Sequence, residues 1–226
     1  MNRSIWNKKV ALSRWKNTRV KEKSEILGGP NAILLKSIIC GFLAGDGCVL
    51  TRKTKWGYRY DISFFPDDKE MLETYLTALK SVYNKSPKIR RRDDVFDIRL
   101  SSRVVAEDIM NNAAFGIKNW RIPKKLLSNR EAKINWIKAF FSAEGYVDDQ
   151  AIKIQTVNKE GMEELSNLLN EFLIKHGFYV YQPKKKNYSK VYIIRISSKE
   201  SRKKYYENIG FFHKLKSQTL KNSLNL

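Results

Sequence analysis

The chain repeats itself, and this constrains its fold more than any other feature. Gly41-Phe42-Leu43-Ala44-Gly45-Asp46-Gly47-Cys48-Val49 resembles Ala139-Phe140-Phe141-Ser142-Ala143-Glu144-Gly145-Tyr146-Val147 at an offset of 98. Further on, Ile98-Arg99-Leu100-Ser101-Ser102-Arg103 resembles Ile194-Arg195-Ile196-Ser197-Ser198-Lys199 at an offset of 96. Two matches in one order at nearly one spacing mark two copies of a unit of about 100 residues. The 226 residues therefore divide into a first repeat at 31–117, a linker at 118–130 around Ile122-Pro123-Lys124, and a second repeat at 131–226.

Each unit reads in the same order. A helix with Ile33, Leu34, Ile38 and Phe42 at helical spacing runs to Asp46, and one with Ile134, Ile137, Phe140 and Phe141 runs to Glu144. Gly47 and Gly145 stop these helices. Alternating stretches predict strands at 48–53, 58–65, 87–92 and 95–100, then at 146–148, 151–156, 178–184 and 190–197. Helices are expected near 67–84 and 102–115, and near 159–176 and 199–213. The fold class is α+β, an αββαββα unit twice over. Phe96, Ile98 and Leu100 alternate with Asp97 and Arg99, and Ile152 and Ile154 with Lys153 and Gln155. Each sheet thus has an apolar face for helices and a polar, basic face for something else.

The basic face agrees with the whole composition. Lys and Arg number 44 against 23 Asp and Glu, a net charge of +21. Such a chain suits a polyanion, nucleic acid foremost, although a membrane surface is also basic-seeking. No apolar run is long enough to span a bilayer. Residues 1–30 form a basic N-terminal arm, with eight Lys or Arg and no acid before Glu22. They read as an arm that touches nucleic acid or as an organelle transit segment, and the arm is preferred. Cys40 and Cys48 make no disulfide framework and no zinc site, and both read as buried structural residues. A reducing intracellular setting is the default, in a prokaryotic cytoplasm or an organelle. Trp120 and Trp136 read as core.

The two repeated helices carry the chemistry. Gly41 and Gly45, and Ala139 and Ala143, put small residues four apart on one face, which lets two helix backbones approach closely. Packed at the centre through these faces, the helices bring Asp46 and Glu144 together. Two carboxylates at helix C-termini repel each other and the helix dipoles. A divalent cation held by oxygen ligands removes the conflict and points to metal-assisted phosphodiester hydrolysis.

The segments Gly41–Gly47 and Ala139–Gly145 resemble the paired signature motifs of the LAGLIDADG homing endonucleases, in their single-chain, two-repeat form, and the likeness extends over residues 31–213. The resemblance implies a monomer without an obligate protein partner, whose two saddle-shaped sheets sit on a long pseudo-palindromic double-stranded DNA site. It implies cleavage of one bond per strand across the minor groove, leaving short 3′ overhangs. It implies Asp46 and Glu144 as metal ligands, joined by the carbonyls of Gly45 and Ala143. Mg²⁺ is the implied metal, with Mn²⁺ as substitute and Ca²⁺ supporting binding without cleavage. Asn158 and Lys159, at the strand-to-helix corner of the second repeat, would order solvent and stabilise the transition state. The first repeat departs from that corner pattern. It reads Phe64-Phe65-Pro66-Asp67-Asp68-Lys69, where Lys69 would have to serve from the next turn, so the two strands could be cut at unequal rates.

DNA-contact candidates are Arg52, Arg59, Lys88, Arg90, Arg92 and Arg99 in the first repeat, and Lys153, Gln155, Gln182, Lys184, Lys186 and Arg195 in the second. An intron-RNA maturase, or a DNA-binding regulator without catalysis, is the alternative on the same fold.

Overall fold

The computed structural model describes residues 3–55, 57–184 and 188–226, with side chains from residue 10 onward. The first repeat runs α2 (Pro30–Ala44), β1 (Gly47–Thr54), β2 (Gly57–Phe64), α3 (Lys69–Tyr83), β3 (Lys88–Arg92), β4 (Val95–Leu100) and α4 (Arg103–Asn112). The second runs α5 (Arg130–Glu144), β5 (Tyr146–Val147), β6 (Ile152–Thr156), α6 (Lys159–Glu171), β7 (Gly177–Tyr181), β8 (Val191–Ile196) and α7 (Lys199–Asn208). This is the αββαββα order twice. Two helices lie outside the expected pattern: α1 (Arg3–Ser24) within the arm, and α8 (Lys214–Leu224) at the C-terminal end.

Local chemistry sets the boundaries. Pro30 opens α2 after Gly29, whose φ of 83° is a left-handed value that glycine takes without strain. Side-chain caps open the later helices: Asp68, Ser102, Asn129, Asn158, Ser198 and His213 each accept a backbone N–H of the first turn. The expected helix 199–213 is shorter than read. It ends at Asn208, the chain turns at Gly210 (φ 69°), and α8 begins after His213. Strand β7 stops at Tyr181 rather than 184, because Pro183 has no N–H to give the ladder.

The two sheets are antiparallel, ordered β1-β2-β4-β3 and β5-β6-β8-β7. One core runs through both repeats. Phe42, Phe64 and Tyr75 fill it in the first, and Phe141, Tyr205 and Phe211 in the second. Trp136 stacks on Phe140 with centroids 5.0 Å apart, and Trp120 from the linker covers Phe140 at 4.8 Å. Both tryptophans are core, as the sequence suggested. Cys40 is buried, and burial pushes its thiol up to about 12; Cys48 is only half-buried, contrary to the expectation that both cysteines are interior.

Helices α2 and α5 pack face to face at the centre. Their approach is so close that a Cβ on Gly41 would lie 2.6 Å from the Trp136 carbonyl oxygen, and one on Gly45 would lie 2.5 Å from the Ala143 Cβ. Among the described residues, no helix is long and apolar enough to cross a membrane.

Candidate active site and nucleic-acid groove

The close seam between α2 and α5 delivers Asp46 and Glu144 to one place. A Cβ on Gly45, next to Asp46, would lie 3.2 Å from the Glu144 Cγ. Partial desolvation, followed by the Asp46 charge, raises Glu144, which stays exposed, from its ordinary 4.5 to about 7. Desolvation also raises Asp46, opposed by Lys216 and His213 and helped by Asp67.

Lys216 is the cation of this site, and the sequence reading missed it. It projects from α8, and its Nζ donates to the carbonyls of Ser142 (2.5 Å) and Ala143 (2.9 Å), two of the orphan acceptors at the end of α5. Desolvation lowers its pKa, while Asp67, Asp46, Glu144 and Asp68 pull it back up. The position of α8 is fixed from both repeats. The Phe212 N–H donates to Ser142 Oγ (2.7 Å), and the Phe212 ring lies 5.6 Å from Phe42. The Lys214 N–H donates to Asp68 Oδ2 (3.3 Å), and His213 Nε2 stands 3.6 Å from Asp67 Oδ1. The His213 ring beside it and the charge of Lys216 hold the Asp67 carboxyl below its usual range. Asp67 and Asp68, where the corner pattern fails, are therefore anchors for the segment that brings Lys216 in. The available signal was the Leu220 and Leu224 spacing, which buries one face of a terminal helix.

The other expected residues have local partners of their own. Asn158 is buried: it donates to the Trp120 carbonyl (2.6 Å) and accepts from Gly161 N–H (3.1 Å) and Arg121 (3.1 Å). It caps α6 and ties it to the linker. Lys159 and Lys69 each lie 3.5 Å from a glutamate one turn on, Glu163 and Glu73, on exposed helix starts. The Ala143 carbonyl accepts from Lys216, and the Gly45 N–H closes onto the Gly41 carbonyl (3.3 Å).

The donor set fits a hard divalent cation: two crowded carboxylates, one of them raised to about 7 by its surroundings and its neighbour, and one lysine to offset them. Among the described residues there is no cluster of three or more His, Cys, Asp or Glu that could hold a metal ion.

Strand register assigns the DNA candidates to faces. Arg52 pairs with Arg59, Ser63 with Arg99, Arg99 with Lys88, and Arg90 with Asp97, so all six first-repeat candidates share one face. Lys153 pairs with Arg195 and Gln155 with Ile193, which puts these three candidates on one face of the second sheet, in a cleft that includes Glu144. Gln182 and Lys184 lie past the end of β7, in the hairpin loop rather than on the strand. Lys186 lies outside the described residues.

Comparisons with known proteins agree with this geometry. Residues 131–210 match the LAGLIDADG-like domain. Two curated relatives from Methanocaldococcus jannaschii are a DNA polymerase, 26% identical over 83% of this chain, and a replication factor C small subunit, 28% identical over 80%. The chain spans only 12% and 10% of their lengths. Among solved structures, the homing endonuclease I-DmoI in complex with DNA and Ca is 18% identical, with TM-score 0.63, over 84% of this chain and 97% of that one. The homing endonuclease I-WcaI bound to its DNA recognition sequence is 16% identical, with TM-score 0.53, over 85% and 86%. These identities carry the fold.

Proposed function

We propose, from the premise that this chain has the two-repeat fold of the single-chain LAGLIDADG homing endonucleases and a LAGLIDADG-like domain in its second half, that it is a monomeric, metal-dependent, site-specific DNA endonuclease. The single observation that carries the reading is the carboxylate pair. Asp46 and Glu144 arrive from two repeats at the end of one helix seam, where partial desolvation and then the Asp46 charge raise Glu144 to about 7. A protein that only bound DNA would gain nothing from such a pair.

Asp46 and Glu144 would hold the metal, Mg²⁺ with Mn²⁺ as substitute. When bound, the metal supplies Lewis-acid stabilisation of the phosphoryl oxygens and an activated water. The protein's own groups do the rest. The sheet faces hold a long duplex by phosphate contacts and base edges. Lys216, desolvated and fixed by two carbonyls, offsets the carboxylate charge and offers a cation beside the developing charge of the reaction. Its position at the Ser142–Ala143 end favours unequal surroundings for the two strands. The expected product is one break per strand with short 3′ overhangs. Helix α1, which carries Arg14 and Arg19 to a cleft shared with Arg59, would extend the DNA contact beyond the first sheet.

The test is cleavage of a pooled plasmid library carrying randomised duplex inserts, with Mg²⁺ and with Ca²⁺. Wild type should cut a discrete set with Mg²⁺. Asp46→Asn and Glu144→Gln should each abolish cutting while retaining duplex binding. Uncut library together with tight binding to structured intron RNA would support the maturase reading instead.

A further inference from the structure

The repeats share a fold but not a groove-face chemistry. Register makes the comparison position by position, because Lys88 pairs with Arg99 as Gly177 pairs with Arg195. At matched places the first sheet has Arg90, Arg92 and Asp97, and the second has Tyr179, Tyr181 and Ile193.

The difference decides what each face can read. Asp97 is almost wholly buried, and its carboxylate is a platform for arginines. Arg99 donates to it through Nε (2.8 Å) and Nη2 (3.0 Å), and Arg92 Nε lies 3.3 Å away. Asp61 does the same for Arg59, whose Nε donates to Oδ1 at 2.9 Å. Arg99, Arg92 and Arg59 are more than half exposed despite these ties. An arginine held by one edge of its planar fork has little rotamer freedom left to lose, and its Nη1 edge remains for a bidentate acceptor. In the major groove that acceptor is guanine, through O6 and N7.

The second face cannot do this. Ile193 replaces the acid, and the Nε of Arg195 is buried without a hydrogen-bond partner. Lys153 is already tied to Asp148 at 2.9 Å. What the strand faces present instead is Gln155, suited to adenine N6 and N7, beside the exposed rings of Tyr179 and Tyr181, suited to thymine methyl groups.

Resting on the endonuclease reading, we infer that the two halves of the DNA site differ in composition: guanines under Arg99, Arg92 and Arg59 of the first sheet, and an A·T-rich half under the second. The site is then palindromic only loosely.

The experiment is selection of bound duplexes from a randomised pool in Ca²⁺, followed by sequencing, for wild type, Asp97→Asn and Arg99→Lys. One half of the wild-type site should be guanine-bearing and the other A·T-rich. A buttressed bidentate arginine discriminates its base about 5- to 150-fold. Both variants should lose most of that preference in the guanine half and keep the preferences of the A·T half. The exposed Arg99→Lys guards against misfolding, since it retains charge and removes only the planar fork. Halves of equal composition, or variants that alter both halves alike, overturn the assignment. A pool that yields no enriched duplex overturns the endonuclease reading itself.

Discussion

At the residue scale, the Glu144 carboxylate is pushed toward neutrality by its surroundings. Glu144 rises from 4.5 to about 7 through partial desolvation and the charge of Asp46, and Lys216 limits the rise. Protons and divalent cations therefore compete for it, and cutting should fall about tenfold per pH unit below about 7. Replacing Lys216 with Met removes the lowering influence and should move that acid limb upward, which a single-turnover pH profile would show. A stability effect has a definite sign. Because the folded pKa exceeds the unfolded one, the native state holds a proton that the unfolded chain releases. This contribution is full below about 4.5 and is lost as pH rises through about 7 in metal-free buffer. Urea melts at about pH 5 and about pH 8 should show a smaller loss for Glu144→Gln than for wild type. Asp46 and Glu144 were legible in the sequence because both copies carry an acid after a small-residue face. Lys216 was not, because it belongs to no repeat and meets the site only through residues distant along the chain, Ser142 being 74 positions away.

At the element scale, the repeat made almost every helix and strand of the two units readable, since each copy checked the other. The exceptions were α1, whose basic surface has no apolar stripe to announce it, and α8, whose short Leu220–Leu224 face lies beyond the duplicated segment. The central pair gives the sharpest test. In an ordinary helix interior, Ala for Gly stabilises by about 1 kcal/mol. At position 41 the added Cβ would lie 2.6 Å from the Trp136 carbonyl oxygen and 2.8 Å from the Ala139 Cβ, on a backbone that has little room to yield. Gly41→Ala should therefore destabilise by about 1–3 kcal/mol, the cost of overpacking, against the propensity gain. The midpoint of chemical unfolding checks this, and a more stable variant would mean the helices are not so close. Since the same seam sets the spacing of Asp46 and Glu144, cutting should suffer beyond the stability loss.

At the scale of the whole molecule, the +21 charge is distributed with purpose. The first sheet carries six arginines and lysines on one face, the second fewer, and α1 adds a rod of about 33 Å at the standard helical rise. That rod is secured near its C-terminal end, where Glu22 pairs with Lys85 at 2.7 Å and the Leu27 N–H donates to the Val82 carbonyl at 2.8 Å. Further along it, Leu12 and Trp15 stay exposed, so packing against the body does not account for the helix. Its Arg14 and Arg19 instead line a cleft with Arg59, which also faces the sheet groove, so the basic surface is continuous from groove to arm. If about ten phosphates are neutralised, the logarithm of the binding constant should fall against the logarithm of salt concentration with a slope near −9. Every phosphate left without its cation makes the slope shallower by about 0.9. The double substitution Arg14→Gln, Arg19→Gln should therefore flatten it by about 2 on a long duplex, and leave it unchanged on a duplex trimmed to the sheet groove, where the arm has no phosphate to meet. An equal change on both duplexes would place these arginines over the groove instead of the flank.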